Sequence, residues 1–319
     1  MMARLPAEGY REPVQGGKDV WDELQEAEVA GRVLQFRVAG VESVDGGQAL
    51  ILDLGDPKVK GVVLPQEVGE VFRGTPVNLV GLDVVVKVKR CDREAGVMYF
   101  DRASAVKELR EQTWADVRAR APRLLEIGKE LAALQEEIRG SADPEKQKEL
   151  AARAAALREE GMSLNYNRPG VVRWVLPRVV FCDAGGVPAV VPAGQLSYGE
   201  VTDARRVVVP GQVFRLRVVA ADEEEGVLRA SVKANLPDPW ETVPVRYVKG
   251  GIYEAVVKRE FPGSFMVEFE PGVVGFLRKF AYSKLAVGAK CLVVVTGVDV
   301  EDRAMMCRFV RLLSLRRVV

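Results

Sequence analysis

The sequence predicts a mainly β protein of 319 residues, in which three small five-stranded barrels follow one another and an α-helical hairpin is inserted between the first and the second. Three observations support this architecture. Residues 249–313 contain five short apolar runs separated by glycine or proline turns. The acidic turn before the last run recurs twice upstream. Between the first two copies, apolar residues recur at helical spacing over residues 105–161.

The C-terminal stretch shows the barrel pattern most clearly. Its glycine- or proline-containing turns fall at residues 261–263 and 270–272, and a short helix is predicted at residues 279–284. Five strands within about seventy residues favour a closed barrel over a fragment of a β-sandwich. The five predicted strands cover residues 250–257, 264–269, 273–278, 290–295 and 304–309.

The repeat is set by three acidic turns, which begin at Asp92, Asp222 and Asp299. The turns lie 130 and 77 residues apart, so the second interval is one barrel and the first is one barrel plus about fifty inserted residues. The predicted segments are an N-terminal tail at 1–17, a first barrel at 18–104, a helical hairpin or coiled-coil segment at 105–163, a second barrel at 164–240 and a third at 241–319.

The third copy carries the motifs of a known family. It contains FPGSFMVE at residues 261–268 and GFLR at residues 275–278. These residues resemble the second and third strands of the S1 RNA-binding domain, a family of tandem oligonucleotide-binding (OB) barrels. The resemblance implies an OB fold for each barrel and single-stranded RNA as the ligand. It places Phe261 and Phe265 at ring-bearing positions, and Arg278 where the family usually has histidine; a guanidinium can also stack on a base.

Composition argues against an enzyme. Histidine, the commonest general base and metal ligand, is absent. The four cysteines are scattered singly beside apolar strands, as small buried hydrophobes would be, so neither a zinc site nor a disulfide framework is expected. The acidic clusters lie in predicted turns, and no phosphate-binding glycine loop is present. We therefore expect no cofactor, although a carboxylate cluster assembled from several strands, as in a nuclease, stays open.

The sequence also predicts a cytoplasmic protein. No apolar run approaches the roughly eighteen residues that a membrane span needs. Residues 1–17 lack the apolar core of a signal peptide.

The charge is distributed unevenly along the chain. The net charge is +1 overall, but residues 20–104 carry ten Lys and Arg against fourteen Asp and Glu, a net of −4. Residues 105–163 have a net charge of −1 and residues 164–244 of zero, whereas residues 245–319 carry thirteen basic against seven acidic residues, a net of +6. Because phosphate contacts supply most sequence-independent affinity for nucleic acid, RNA is expected on the third barrel.

Binding of single strands requires rings on which bases stack and cations along the backbone, on one face. Strand alternation puts Phe265, Val267 and Phe269 on one side of their strand, so one aromatic set belongs to the core. Whether Phe261 and Phe265 face the ligand or the core stays open, as does whether Trp174 is a platform or fills its barrel. The predicted RNA-binding residues are Phe261, Phe265, Lys258, Arg259, Arg278, Lys279, Arg308 and Arg311 in the third barrel, and Arg173, Trp174 and Phe181 in the second.

The first copy is poorly suited to RNA, because its corresponding strands at 48–52 and 62–65 contain no ring. In the ribosomal protein that gives the S1 family its name, early repeats dock on protein and later repeats hold RNA. The resemblance therefore implies a protein partner, such as the ribosome, for the first barrel and the hairpin.

The inserted segment is predicted to be helical. Asp143 followed by Pro144 is a good N-cap with proline at the first helical position, and an earlier helix over 106–120 should break at Pro122. The hairpin is either a spacer between barrels or a protein-binding or dimerising surface. The apolar positions of its two helices are Leu124, Ile127, Leu131, Leu134 and Ile138, then Leu150, Ala154 and Leu157.

Together these features predict a non-enzymatic, single-stranded RNA-binding protein of translation or RNA metabolism. The competing hypothesis is a scaffold whose barrels have lost RNA binding and interact with proteins.

Overall fold

The computed structural model describes residues 20–71, 75–279 and 285–314. Within these ranges the strands form three closed barrels of five strands each, and three long helices lie between the first and second barrels. The predicted fold class is therefore confirmed. The predicted tail at 1–17 lies outside the described residues, as do residues 280–284 of the predicted short helix.

All three barrels share one strand order. The first strand pairs with the second and the fourth, and the third pairs with the second and, in parallel, with the fifth. The first barrel contains β1 (Val33–Val44), β2 (Gly47–Asp53), β3 (Lys60–Val63), β4 (Asp83–Asp92) and β5 (Val97–Asp101). The second contains β6 (Asn167–Val175), β7 (Val179–Asp183), β8 (Pro188–Pro192), β9 (Val213–Asp222) and β10 (Val227–Ser231). The third contains β11 (Ile252–Glu260), β12 (Ser264–Glu270), β13 (Val273–Arg278), β14 (Lys290–Asp299) and β15 (Ala304–Ser314).

The helices are α1 (Val20–Ala30), α2 (Pro65–Val68), α3 (Arg102–Arg120), α4 (Pro122–Gly140), α5 (Pro144–Ser163) and α6 (Val243–Arg246). The predicted break at Pro122 and the predicted cap at Asp143 are confirmed. Proline occupies the first turn of α4, and the Asp143 carboxylate accepts a hydrogen bond from the Glu145 N–H at 3.0 Å. Both devices use positions where a helix lacks internal partners for its N–H groups.

A β-bulge aligns the three copies residue by residue. The register of the first strand shifts between Val38 and Gly40 in the first barrel, and at matching places beside Trp174 and Arg259 in the others. An extra residue at this point bends the strand and increases its twist, which helps the sheet to close. Positions can therefore be compared between barrels by their distance from the bulge.

One position shows how the cores correspond. Leu50, Val180 and Phe265 occupy the same place on the second strand, and their exposed fractions are 0%, 0% and 1%. Each fills the interior of its barrel, so the copies keep one inward position while varying its volume.

The hairpin is docked on the second barrel as well as folded on itself. Apolar residues of α4 and α5 pack around Ala220 of β9. Two glycines allow the helices to approach closely, because a Cβ at Gly128 would lie 2.0 Å from the Ala221 carbonyl oxygen and one at Gly161 would lie 1.8 Å from that of Val219. The inner faces of both helices are thus covered by β9.

Helix α3 joins the first two barrels. Leu109 packs with Val85 of β4 in the first barrel. On the second barrel, the Thr113 hydroxyl donates to the Gly185 carbonyl at 2.7 Å and the Arg110 Nε donates to that of Gly186 at 3.1 Å. These contacts tie α3 to the turn between β7 and β8.

The chain divides into two compact units. Residues up to Pro192 and Asp203–Asn235 form the first, which holds two barrels and α3–α5. The third barrel forms the second unit together with Ala193–Thr202, although in sequence that segment lies between β8 and β9.

Candidate nucleic-acid interface

The outer face of the third barrel carries a row of four side chains. Residues 265, 267, 273, 275 and 277 point inward and are buried, so the residues between them on β12 and β13 point outward. Arg259 is paired with Met266, Met266 with Phe276, and Phe276 with Met306. This row crosses four strands and combines a ring, two flexible thioethers and a cation.

Phe261 adds a second ring to this face. It lies in the turn before β12 with 38% of its surface exposed, and its centroid is 6.5 Å from that of the half-buried Phe276. Two accessible rings at this spacing offer a platform for unpaired bases. Phe276 was not among the predicted site residues, although alternation along Gly275, Phe276 and Leu277 places it outward once Leu277 is assigned to the core.

The predicted role of Phe265 is wrong. Its side chain is 1% exposed and belongs to the core of the third barrel, where the other barrels have Leu50 and Val180. The Lys279 ammonium lies 5.2 Å from the ring centroid. A base cannot stack on a ring enclosed in this way.

The predicted cations of the third barrel fall into two groups. Lys258 pairs with Glu268 at 2.7 Å, Lys279 with Glu260 at 2.6 Å, and Arg259 with Glu200. The second group consists of Arg278, Arg308 and Arg311, whose exposed side chains make no ion pair within the described ranges. Because β13 and β15 run parallel with Phe276 opposite Met306, Arg278 and Arg308 each lie two residues further along on the same side of the sheet.

The second barrel presents two neighbouring rings at the matching place. Trp174 is 36% exposed, and it is paired across β6 and β7 with the half-buried Phe181. By their distance from the bulge, they correspond to Arg259 and Met266 of the third barrel. Trp174 therefore lies on the outer face and does not fill the barrel.

Arg173 does not join this face, so its predicted contact with RNA is wrong. Its side chain is 8% exposed and pairs with the equally buried carboxylate of Asp183 at 3.4 Å. Both residues line a cavity of about 350 Å³ beside α3, together with Arg102 and Arg110. Arg173 thus forms an internal ion pair at the seam between the first two barrels.

The first barrel has no ring on the corresponding part of its face. Gly40, Ile51 and Val62 occupy the row across β1, β2 and β3. Tyr99 follows on β5, with the Arg90 guanidinium 4.6 Å from its ring centroid. Tyr99 was not among the predicted site residues because it lies on the fifth strand, outside the second and third strands that carry the family motifs.

The cysteines of the described chain are in environments that disfavour thiolates. Burial raises the pKa of Cys182 and Cys307 to about 12 and that of Cys291 to about 11. Burial and a hydrogen bond to Glu28 raise the pKa of Cys91 to about 12. Among the described residues, no group of three or more His, Cys, Asp or Glu side chains is arranged to hold a metal ion. No described helix is long and apolar enough to cross a membrane.

The chain is similar to bacterial S1 proteins. A 97-residue region, 30% of the chain, is 34% identical to "Small ribosomal subunit protein bS1" of Streptococcus pneumoniae and covers 24% of that relative. A 257-residue region, 81% of the chain, is 26% identical to "Small ribosomal subunit protein bS1 homolog" of Bacillus cereus and covers 55% of it. The chain therefore spans between a quarter and about half of the length of these relatives.

Among solved structures, a multidomain protein with nucleic acid binding domains from Streptococcus pneumoniae matches 88% of the chain and 74% of its own, at 12% identity and a TM-score of 0.20. No family model matches the chain. The bS1 relatives confirm the resemblance to the S1 domain family.

Proposed function

We propose that this chain is a non-enzymatic protein that binds single-stranded RNA, with the third barrel as its principal site. The observation that carries the proposal is the pair of accessible rings, Phe261 and Phe276, beside Arg278 and Arg308, which form no ion pair with any described residue. The sequence resemblance and the bS1 relatives support RNA as the ligand, and ribosomal relatives support a place in the cytoplasm.

The chemistry of this face suits unpaired nucleotides. Each base stacked on a ring contributes about 1–3 kcal/mol, and every base has a face that can stack. Met266 and Met306 extend the apolar surface with side chains that adapt to different partners. Arg278 and Arg308, which make no ion pair within the described part of the chain, supply charge for phosphates. We therefore expect little base specificity and a preference for single strands over duplexes.

The second barrel extends the proposed site through Trp174 and Phe181, which lie side by side on its outer face. The first barrel is proposed to dock on protein, with the ribosome as the candidate partner. Its segment carries a net charge of −4, and its face lacks rings on β1, β2 and β3. The outer face of the hairpin is proposed to assist, since its inner face is covered by β9.

A second candidate function is a protein-interaction scaffold whose barrels do not bind RNA. The observation in its favour is that Lys258, Arg259 and Lys279 are each already paired with a carboxylate. This arrangement reduces the positive potential that RNA would meet along β11 and just after β13.

The two functions are separated by a fluorescence anisotropy titration of the whole chain. The probes are single-stranded oligo(U) of about twelve nucleotides and a DNA duplex of the same length. RNA binding predicts tighter association with oligo(U) that weakens as salt increases. Association with neither probe, or association that is independent of salt, would favour the scaffold.

The titration is repeated with Arg278→Gln combined with Arg308→Gln. For a single strand, loss of two phosphate contacts should reduce the magnitude of the slope of log K against log[salt] by about 1.4. Lys146→Gln combined with Arg153→Gln, two exposed positions on α5, removes the same charge and should leave the slope unchanged. Equal effects of the two double variants would mean that only net charge matters.

A further inference from the structure

A segment between β8 and β9 of the second barrel belongs to the unit of the third. We call Ala193–Thr202 the strap. Its backbone lies directly on the turn between β12 and β13. A Cβ at Gly272 would lie 2.5 Å from the Cβ of Tyr198, and one at Gly199 would lie 3.0 Å from the Cβ of Pro271. Because there is no room for side chains at these two glycines, the strap is closely seated on the barrel.

This seating places one carboxylate on the candidate RNA face. Glu200, two residues beyond Tyr198, pairs with Arg259. Arg259 stands in the outward row beside Met266 and Phe276. The strap therefore brings an anion to a cation that is otherwise available to a phosphate.

The neighbouring cation is held in a similar way. Lys258, the residue before Arg259, pairs with Glu268 at 2.7 Å. Glu268 lies under the strap, since its Oε1 is 3.6 Å from where a Cβ of Gly199 would stand. Both basic residues at the bulge of β11 thus face carboxylates, one from the barrel and one from the strap.

The pair formed by Glu200 is weak enough to be exchanged. The Arg259 side chain is 56% exposed and that of Glu200 is 39% exposed, so water and salt screen their attraction. A nucleic acid phosphate offers the same guanidinium a bidentate anionic partner.

We propose that the strap regulates RNA binding by the third barrel, with Glu200 as an internal competitor that occupies Arg259 until a phosphate displaces it. This inference rests on the proposed function, because it assumes that RNA lies across the row containing Arg259. Loss of the carboxylate should tighten binding, which is the opposite of what loss of a ligand-contacting residue does.

The test is the affinity of the Glu200→Gln variant for single-stranded oligo(U), measured by fluorescence anisotropy at low salt. Removing an exposed ion-pair competitor should tighten binding by about 1.5- to 5-fold. The matched control is Glu301→Gln, which removes one negative charge from the turn between β14 and β15 of the same barrel. It should change the affinity by less than Glu200→Gln does.

Glu200→Gln is also measured in an Arg259→Gln background, which completes a double-mutant cycle for the Glu200–Arg259 pair. With the guanidinium gone, Glu200→Gln should have no more effect than Glu301→Gln. An equal gain with and without Arg259, or equal affinities for Glu200→Gln and Glu301→Gln, would overturn the competitor role while leaving RNA binding in place. Absence of oligo(U) binding by both the wild type and Glu200→Gln would refute the proposed function and this inference together.

Discussion

Substitution of two phenylalanines of the third barrel should affect different properties. Changes at Phe276 should weaken RNA binding, whereas changes at Phe265 should lower the stability of the fold. Phe276 lies on the outer face beside Phe261, whereas Phe265 is 1% exposed in the core. Phe276→Ala removes a stacking platform worth about 1–3 kcal/mol, so it should weaken oligo(U) binding about 5- to 150-fold. Because the ring is half-buried, its loss should cost only about 1 kcal/mol of unfolding free energy.

Phe265→Ala should act on stability. Removing a fully buried ring leaves a cavity and costs about 3–5 kcal/mol. Phe265→Leu should cost clearly less than Phe265→Ala, because leucine fills more of the cavity and the first barrel accommodates Leu50 at the same place. The folded Phe265→Leu variant should therefore bind oligo(U) nearly as well as the wild type does.

Urea unfolding and oligo(U) anisotropy, applied to all three variants, check both halves of this prediction. Wild-type RNA affinity of Phe276→Ala would rule out stacking on this ring. Loss of most of the affinity in a folded and stable Phe265→Leu variant would rule out a purely structural role for Phe265.

Three further predictions concern the rest of the molecule. Gly161→Ala should destabilise the protein by about 1–3 kcal/mol, because its Cβ would lie 1.8 Å from the Val219 carbonyl oxygen, whereas Gly140→Ala, which meets open space, should not; urea unfolding that ranks the two variants equally would contradict this. The four cysteines should react slowly with a thiol reagent at pH 8 until the protein is unfolded, because their pKa values lie between about 11 and 12; a rapid phase from the native protein would argue against it. Burial and a hydrogen bond to Asp116 raise the pKa of Tyr166 from 10.0 to about 12, so this tyrosine contributes stability below pH 10 that is lost as the pH rises towards 12. The unfolding free energies of the wild type and Tyr166→Phe should therefore converge over that range, and a constant difference would exclude this linkage.

The barrel repeat could be predicted because its signals are local. In each copy the acidic turn is closed by its first aspartate, which accepts a hydrogen bond from the N–H three residues later. The acceptors are Asp92, Asp222 and Asp299. An aspartate and its turn lie within a few residues of one another, so one sequence suffices to find them. The same holds for the cap at Asp143.

The binding face was harder to predict because alternation shows which residues share a side but not which side is buried. Alternation groups Phe265 with Val267 and Phe269, apart from Met266 and Glu268, but the family resemblance placed Phe265 at a ring-bearing position. The bulge before Arg259 then shifts the outward set by one residue. Contacts between distant positions, such as Glu200 with Arg259, leave no local signal at all.

If RNA binds as proposed, unpaired nucleotides lie against the rings of the third barrel. Photo-crosslinking of the whole chain to oligo(U) that contains 4-thiouridine, followed by mass spectrometry of the peptides, locates these nucleotides. We expect adducts on peptides that contain Phe261 or Phe276, and their loss in Phe276→Ala. Adducts confined to α4, α5 or the first barrel would contradict this placement.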